Sequence, residues 1–292
     1  MKSAGVAIPT EARVRRSARF GGYAALLGPA LAFYVLFFVV PHVYVLWSSL
    51  TPTGRVSLDS YAGFFNDATS VAILWRTVRL SIWTTVATLV VGYPVALYLS
   101  QPWRRGRTIV TFAVIAPMLV SAVARSYGWI IILGPNGLLT QLQEWLHLGG
   151  SEHLLYTEPG LVIALTHVFL PFMTLAIAGS LQQIHPSLPR AARIHGASRT
   201  RTFLKVILPL SMPGVTAGSV IVFCLTASSF VTPALVGGTT IQMMSYIIYN
   251  NAILLLDWPA ASAAAVILLV ATAGITVVYT VWSGRYAVAS SA

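Results

Sequence analysis

Residues 187–210 read SLPRAARIHGASRTRTFLKVILPL, a polar and basic stretch set between two long apolar runs. A chain that only has to cross a bilayer turns back in a few residues, yet here two dozen stay outside the lipid. Ser187 is placed to act as an N-cap, and Pro189 is tolerated in a first helical turn. Residues 190–194 then form a turn or two of helix. Gly196 ends it, because glycine enters the left-handed region at no steric cost. Ser198 is placed to cap a second helix running through Phe203 into Val206 and Leu208, with Pro209 and Pro213 where it enters the apolar run. The expected product is a short helix, a sharp corner and a second helix: a knob shaped for a groove on a soluble partner.

The flanking sequence sets the class. Of 292 residues, 57% are hydrophobic and only 9% charged, against about 25% charged in ordinary soluble domains. Several apolar runs are about 20 residues long, the length that crosses a bilayer as helix. Alternating strands are absent, so helices must satisfy the backbone in lipid. An all-α membrane protein with six transmembrane helices is expected, with spans near 22–50, 72–100, 108–133, 159–182, 206–231 and 259–283. The expected organisation is a basic N-terminal tail over 1–20, one six-span domain over 21–284 and a short tail over 285–292. The inner loop covers 183–205. The outer loops cover 51–71, 134–158 and 232–258.

Charge placement gives the orientation. Lys2, Arg13, Arg15, Arg16 and Arg19 precede the first run, Arg104, Arg105 and Arg107 follow the second, and Arg190, Arg193, Arg199, Arg201 and Lys205 lie in the long loop. Of the acids, only Glu11 shares that side, whereas Asp59, Asp67, Glu144, Glu152, Glu158 and Asp257 fall in or beside the opposite loops. This bias predicts both termini in the cytoplasm. The net charge of +11 therefore reports topology rather than nucleic-acid binding.

The long loop resembles the coupling loop of permease subunits from binding-protein-dependent ABC importers. That family carries Glu-Ala-Ala, a later Gly, and Ile/Val-x-Leu-Pro; here Ala191, Ala192, Gly196, Ala197, Val206, Leu208 and Pro209 match. Arg190 stands where the family has Glu, which reverses the charge offered to the ATPase. The resemblance covers nearly the whole chain and is strongest for the spermidine/putrescine-type subfamily, through residues 124–129, 133–139, 155–158, 170–173, 186–188 and 230–238. It implies the type I ABC importer permease fold and a multi-pass place in a bacterial inner membrane. It also implies an ABC ATPase dimer that carries ATP and Mg, a second and different permease subunit, and an extracytoplasmic solute-binding protein. The solute first expected is a polyamine such as spermidine or putrescine, with an amino acid or related nitrogenous compound as the alternative. A proton-coupled secondary transporter is the rival from another class, and it needs intramembrane acids.

The coupling residues so assigned are Ser187, Arg190, Ala191, Ala192, Arg193, Gly196, Ala197 and Ser198. Candidates for the gate or pathway are Arg125, Tyr127, Trp129, Phe230, Thr232, Pro233, Asn250, Asn251 and Asp257. Arg125 is an ion within an apolar run and is expected to snorkel outward or to pair with an outer acid. Tyr127 and Trp129 suit an interfacial aromatic belt or a cation–π contact, and His167 is expected as a buried, hydrogen-bonded residue. No HExxH, CxxC or GxxxxGK[ST] is present. No catalytic residue, metal site or cofactor of this chain's own is therefore expected.

Overall fold

The computed structural model describes residues 20–52, 54–101, 103–145 and 154–289. The tail expected over 1–20 thus lies outside them apart from Phe20. Every regular element among the described residues is helical. The chain divides into two units, Met1–Trp47 and Ser48–Ala292. The first holds most of α1, the apolar span Leu27–Leu50. A π-turn at Val35–Val39 interrupts that span, and Phe33, Phe37, Tyr34, Phe38 and His42 stack along it at 4.4–4.9 Å.

In the second unit, α2 (Asp59–Asn66) leads into α3 (Ala68–Leu99). Asp67 caps α3, its carboxylate accepting from Thr69 N and Ser70 N at 3.1 and 3.0 Å. Then come α4 (Arg107–Leu119), α5 (Ala122–Leu133), α6 (Leu138–Trp145) and α7 (Glu158–Gln182). The long loop contributes α8 (Ser187–Ile194), and α9 runs unbroken from Arg199 to Ala227. The chain closes with α10 (Met244–Tyr249) and α11 (Trp258–Ala289).

Helices α3, α7 and α9 form the core, with Leu80, Leu165, Met173, Ile177 and Val222 fully buried. Contacts fix their directions. Arg79 of α3 meets Glu158 at the start of α7, and Gly92 of α3 lies against Thr174 further along α7, so the two run parallel. Gly214 of α9 faces Ser180 while the later Gly218 faces Met173, so α9 runs the other way. The bundle therefore has an arginine-rich end, where α3 and α7 finish and α9 begins, and an acidic end bearing Asp67 and Glu158. Thr77, Ser81 and Thr88 of α3 cost little in apolar surroundings, because each donates to the carbonyl four residues back. A second cluster seats α11, with Phe64, Ile73, Met244 and Leu268 at its centre.

One sequence expectation needs correction. The run at 108–133 is not one straight span: Arg107–Leu119 and Ala122–Leu142 meet at 105°. Val120 and Ser121 are extended at the break, just after Pro117 has weakened the last turns of α4. The second helix expected from Ser198 through Phe203 into the apolar run is present. The polar Arg199–Thr202 turn continues through a π-turn at Phe203–Ile207 into the apolar helix, and this widening accommodates Pro209.

Candidate functional site

At the arginine-rich end, α8 is a two-turn helix closed by backbone geometry. Gly196 has φ +83°. Gly196 N–H donates to the Arg193 carbonyl and Ala197 N–H to that of Ala192, both at 3.0 Å. That pair of bonds is a Schellman closure, which needs a left-handed residue at Gly196. Ser198 then caps the next helix as expected, its hydroxyl accepting from Arg201 N at 3.2 Å. Ser187 does not cap α8. It is the first helical residue, and its N–H and hydroxyl both turn back to Nδ1 of His185, at 3.3 and 2.7 Å. The imidazole two residues upstream competes for the role that composition gave to Ser187.

The faces of α8 differ. Pro186, Pro189, Arg190 and Arg193 share one face by helical spacing, and all line a cavity of about 760 Å³ shared with the α3–α4 connection. Leu188 lines a second cavity with Leu210 and Gly214. Ala191, Ile194 and Gly196 are exposed. Ile194 is 84% exposed, the most exposed large apolar side chain described. Sequence reasoning did not select it, although it lies three residues beyond Ala191 and so on the same face.

The loop is tied stiffly to the bundle. Phe203 packs edge-on against Tyr93 of α3 with ring centres 5.7 Å apart, and the Tyr93 hydroxyl hydrogen-bonds Ser211 of α9 at 2.7 Å. Next, α9 approaches α7 at small residues. A Cβ on Gly214 would stand 2.5 Å from Ser180 Cβ and 2.7 Å from the Ala176 carbonyl oxygen. Such contacts let helix backbones close up in lipid. These contacts join the start of α9 to α3 and α7. Tyr93 gave no signal in the sequence, being one aromatic in an apolar run.

The other candidates fall into two groups. Around α5, Arg125 donates through Nη1 to the carbonyl of Pro117, and no acid pairs with it among the described residues. The expected ion pair is thus replaced by a cap on an orphan carbonyl at the end of α4. Ser126 and Thr232 hydrogen-bond at 3.2 Å, bringing α5 to the segment that opens at Phe230 and passes through Thr232 and Pro233. Trp129 donates to Nδ1 of His167 at 3.3 Å, which gives that histidine its hydrogen bond. Tyr127 is exposed. At the acidic end, Asn251 and Asp257 line a cavity of about 490 Å³ with Asp59 and Asp67. Asp257 also caps α11 through Ala260 N at 3.0 Å. Asn250 opens a π-turn beside Tyr249, whose ring lies 4.8 Å from that of Phe230.

The ions at the acidic end are organised. Glu158 holds Arg79 through both carboxylate oxygens, at 2.5 and 2.7 Å, with Arg76 at 3.6 Å. Asp67 sits below the usual carboxylate range, chiefly because the Ser70 hydroxyl donates to it, with the backbone N–H groups of Ser70 and Thr69 adding to the effect. Among the described residues no cluster of three metal-ligating side chains occurs.

Comparison with known proteins supplies context for this geometry. A family model described as "Binding-protein-dependent transport system inner membrane component" matches residues 89–286. The chain is 31% identical over 255 residues to the spermidine/putrescine transport system permease protein PotB of Haemophilus influenzae, covering 84% of this chain and 89% of that one. It is 28% identical over 253 residues to PotB of Escherichia coli, covering 84% and 92%. In fold it is similar to a chain of a bacterial alginate ABC transporter, crystallised in complex with an alginate pentasaccharide-bound periplasmic protein. That likeness has a TM-score of 0.79 at 19% identity, over 92% of this chain and 96% of that one.

Proposed function

The chain belongs to the binding-protein-dependent transport system inner membrane component family, and on that premise we propose how its two ends divide the work of import. It is a permease component of an ABC importer with the type I importer permease fold. We infer that the arginine-rich end faces the cytoplasm, in line with the charge bias of the loops, and that the protein lies in a bacterial inner membrane. There α8 enters a groove on an ATPase subunit, one of a dimer that binds ATP and Mg and does the hydrolysis. Ile194, Ala191 and the Gly196 corner form the knob. Arg190 and Arg193 line the cavity behind α8 but are exposed, and Arg190 lies one turn before Ile194, so the groove on the ATPase must also accept its positive charge. The observation that carries this reading is the 84% exposure of Ile194 on a short helix joined through the Gly196 corner to the start of α9.

A second permease chain completes the pathway, and an extracytoplasmic solute-binding protein delivers the solute at the acidic end. ATP-driven closure of the ATPases shifts α8, α9 follows as one body, and the bundle rocks between inward and outward openings. The solute is a polyamine such as spermidine or putrescine. The names of the relatives support this, as does the placing of Asp59, Asp67 and Asp257 around one entry-side cavity, where they attract cations. Arg125 braces the bend between α4 and α5, Tyr127 and Trp129 lie on the wall that α5 presents, and Thr232 with Pro233 ties that wall to the outer segment.

The test is uptake into proteoliposomes containing this chain, the ATPase, the second permease and the binding protein. Labelled spermidine should enter only with ATP inside. Gly196→Trp should abolish uptake while the complex still elutes as a single species. Uptake driven by a proton gradient without ATP would refute the reading.

A further inference from the structure

The cavity behind α8 has a composition the import cycle does not explain. Arg104 and Arg107 from the α3–α4 connection meet Arg190, Arg193 and Arg199 from the long loop around one space of about 760 Å³. No described Asp or Glu lines it, and the only described ion pairs are those of Arg76 and Arg79 with Glu158, at the other end of the bundle. Five arginines around one space, Arg107 half-buried and the other four exposed, concentrate positive charge that an anion would neutralise. Two of them are already held by neutral groups. Arg104 donates to Gln101 Oε1 at 2.9 Å and lies 5.5 Å from the Tyr98 ring centre, and Arg193 donates to the Pro189 carbonyl at 3.4 Å. Arg107, Arg190 and Arg199 have no ion-pair partner among the described residues. The same cavity has an apolar floor of Leu97, Leu181 and Ile207 at the ends of the spans, and Trp103, 71% exposed, stands at its rim. Arginine at the rim, aliphatic groups below and an interfacial tryptophan match an amphiphilic anion at the membrane surface.

We propose that this cavity is a binding site for a phosphate-bearing anion, held between the α3–α4 connection and the face of α8 that lines it. Guanidinium suits it because its planar fork engages phosphate oxygens bidentately. Two sources present this chemistry: the headgroup of an anionic phospholipid, or free phosphate. An occupied site cross-links α8 to the end of α3 and sets the resting position of the lever. The site rests on the reading above only for the side of the membrane it faces.

The experiment uses the full chain purified in neutral detergent, with binding read by native mass spectrometry and by thermal shift. Probes are dioctanoyl phosphatidylglycerol, dioctanoyl phosphatidylcholine and inorganic phosphate. Phosphatidylglycerol should bind and raise the melting temperature, and phosphatidylcholine should not compete. Arg107→Gln with Arg190→Gln should weaken phosphatidylglycerol binding about thirtyfold, from roughly fivefold per arginine. Arg105→Gln with Arg201→Gln removes the same net charge outside the cavity and should leave binding nearly unchanged. If the cavity pair does not fold, Arg199→Gln alone should weaken binding about fivefold. Protection by phosphate that the cavity variant loses identifies free anion as a source; a response to phosphatidylglycerol alone identifies lipid. Equal binding of the two lipids, equal loss in both double variants, or no binding by any probe would overturn the proposal. A cavity variant that keeps its lipid but loses the ATPase would also overturn it, because an acidic face of the ATPase would then be the occupant. Lipid binding is measured without the ATPase, whose retention is read in a separate co-purification, so its failure is separable from failure of ATP-driven uptake.

Discussion

Gly214→Ala probes the close contact that joins α9 to α7. The added methyl would stand 2.5 Å from Ser180 Cβ, 2.7 Å from the Ala176 carbonyl oxygen and 3.0 Å from Ile177 Cα. Two of these are backbone atoms that no rotamer change can move, so α9 and α7 must separate. Overpacking costs about 1–3 kcal/mol, and backbone opposition places this site toward about 3. Alanine also gains roughly 1 kcal/mol over glycine within a helix, which masks part of that cost. Gly179→Ala removes the ambiguity, since Gly179 lies within α7 and a methyl added there would meet no atom within 4 Å. The propensity gain cancels between the two variants, leaving a difference of about 3 kcal/mol. At roughly 2–4 °C per kcal/mol, the full chains should melt about 6–12 °C apart. Intrinsic fluorescence of the eight tryptophans in detergent reads the transition. Gly218→Ala should fall between them, because its nearest atom, Met173 Sδ at 2.8 Å, ends a flexible side chain. Equal melting of the Gly214 and Gly179 variants would show that α7 and α9 are not in this close contact.

Arg125→Leu should lower stability by about 1–3 kcal/mol by leaving the Pro117 carbonyl without its donor, and Arg125→Gln should recover part of the loss in the same melting assay. Glu158→Gln should cost about 1 kcal/mol at low salt, and its difference from wild type should shrink in concentrated salt, because Glu158 and Arg79 are 34% and 45% exposed. The lowered pKa of Asp67 gives a sign: its cap stabilises the fold above the ordinary carboxylate pKa, and that contribution disappears as pH falls through the lowered value. Melting of Asp67→Asn should therefore depend less on pH across the acid range than melting of wild type, and parallel curves would contradict the assignment.

The features legible in the sequence are those set by local physics. Run length located the apolar helices, and Gly196 and Ser198 announced the corner because left-handed backbone and N-capping depend on few neighbours. Ser187 misled because His185 offers its N–H a nearer acceptor. The break at Val120 and Ser121 was hidden, since hydropathy runs straight across it and Pro117 reads equally well as an interior kink. Arg199–Thr202 is polar, yet the Ser198 cap marked it as the first turn of the helix that continues into α9. Arg125 was sought by acids in a reading of charge alone, whereas the nearest need in space was a helix-end carbonyl. The cavity that Arg190 shares with the α3–α4 connection, some ninety residues earlier in the chain, is reported by no local pattern.

The central claim is that α8 is gripped by an ATPase through its exposed face. In a Cys224→Ser background, which removes the sole native thiol, Ile194→Cys is labelled with benzophenone maleimide in the co-purified complex and photolysed. Arg55→Cys, exposed at the acidic end, serves as the comparison. The account predicts a covalent product joining Ile194→Cys to the ATPase subunit, altered in yield by ATP, and none from Arg55→Cys. An ATPase cross-link from Arg55→Cys with none from Ile194→Cys would contradict it.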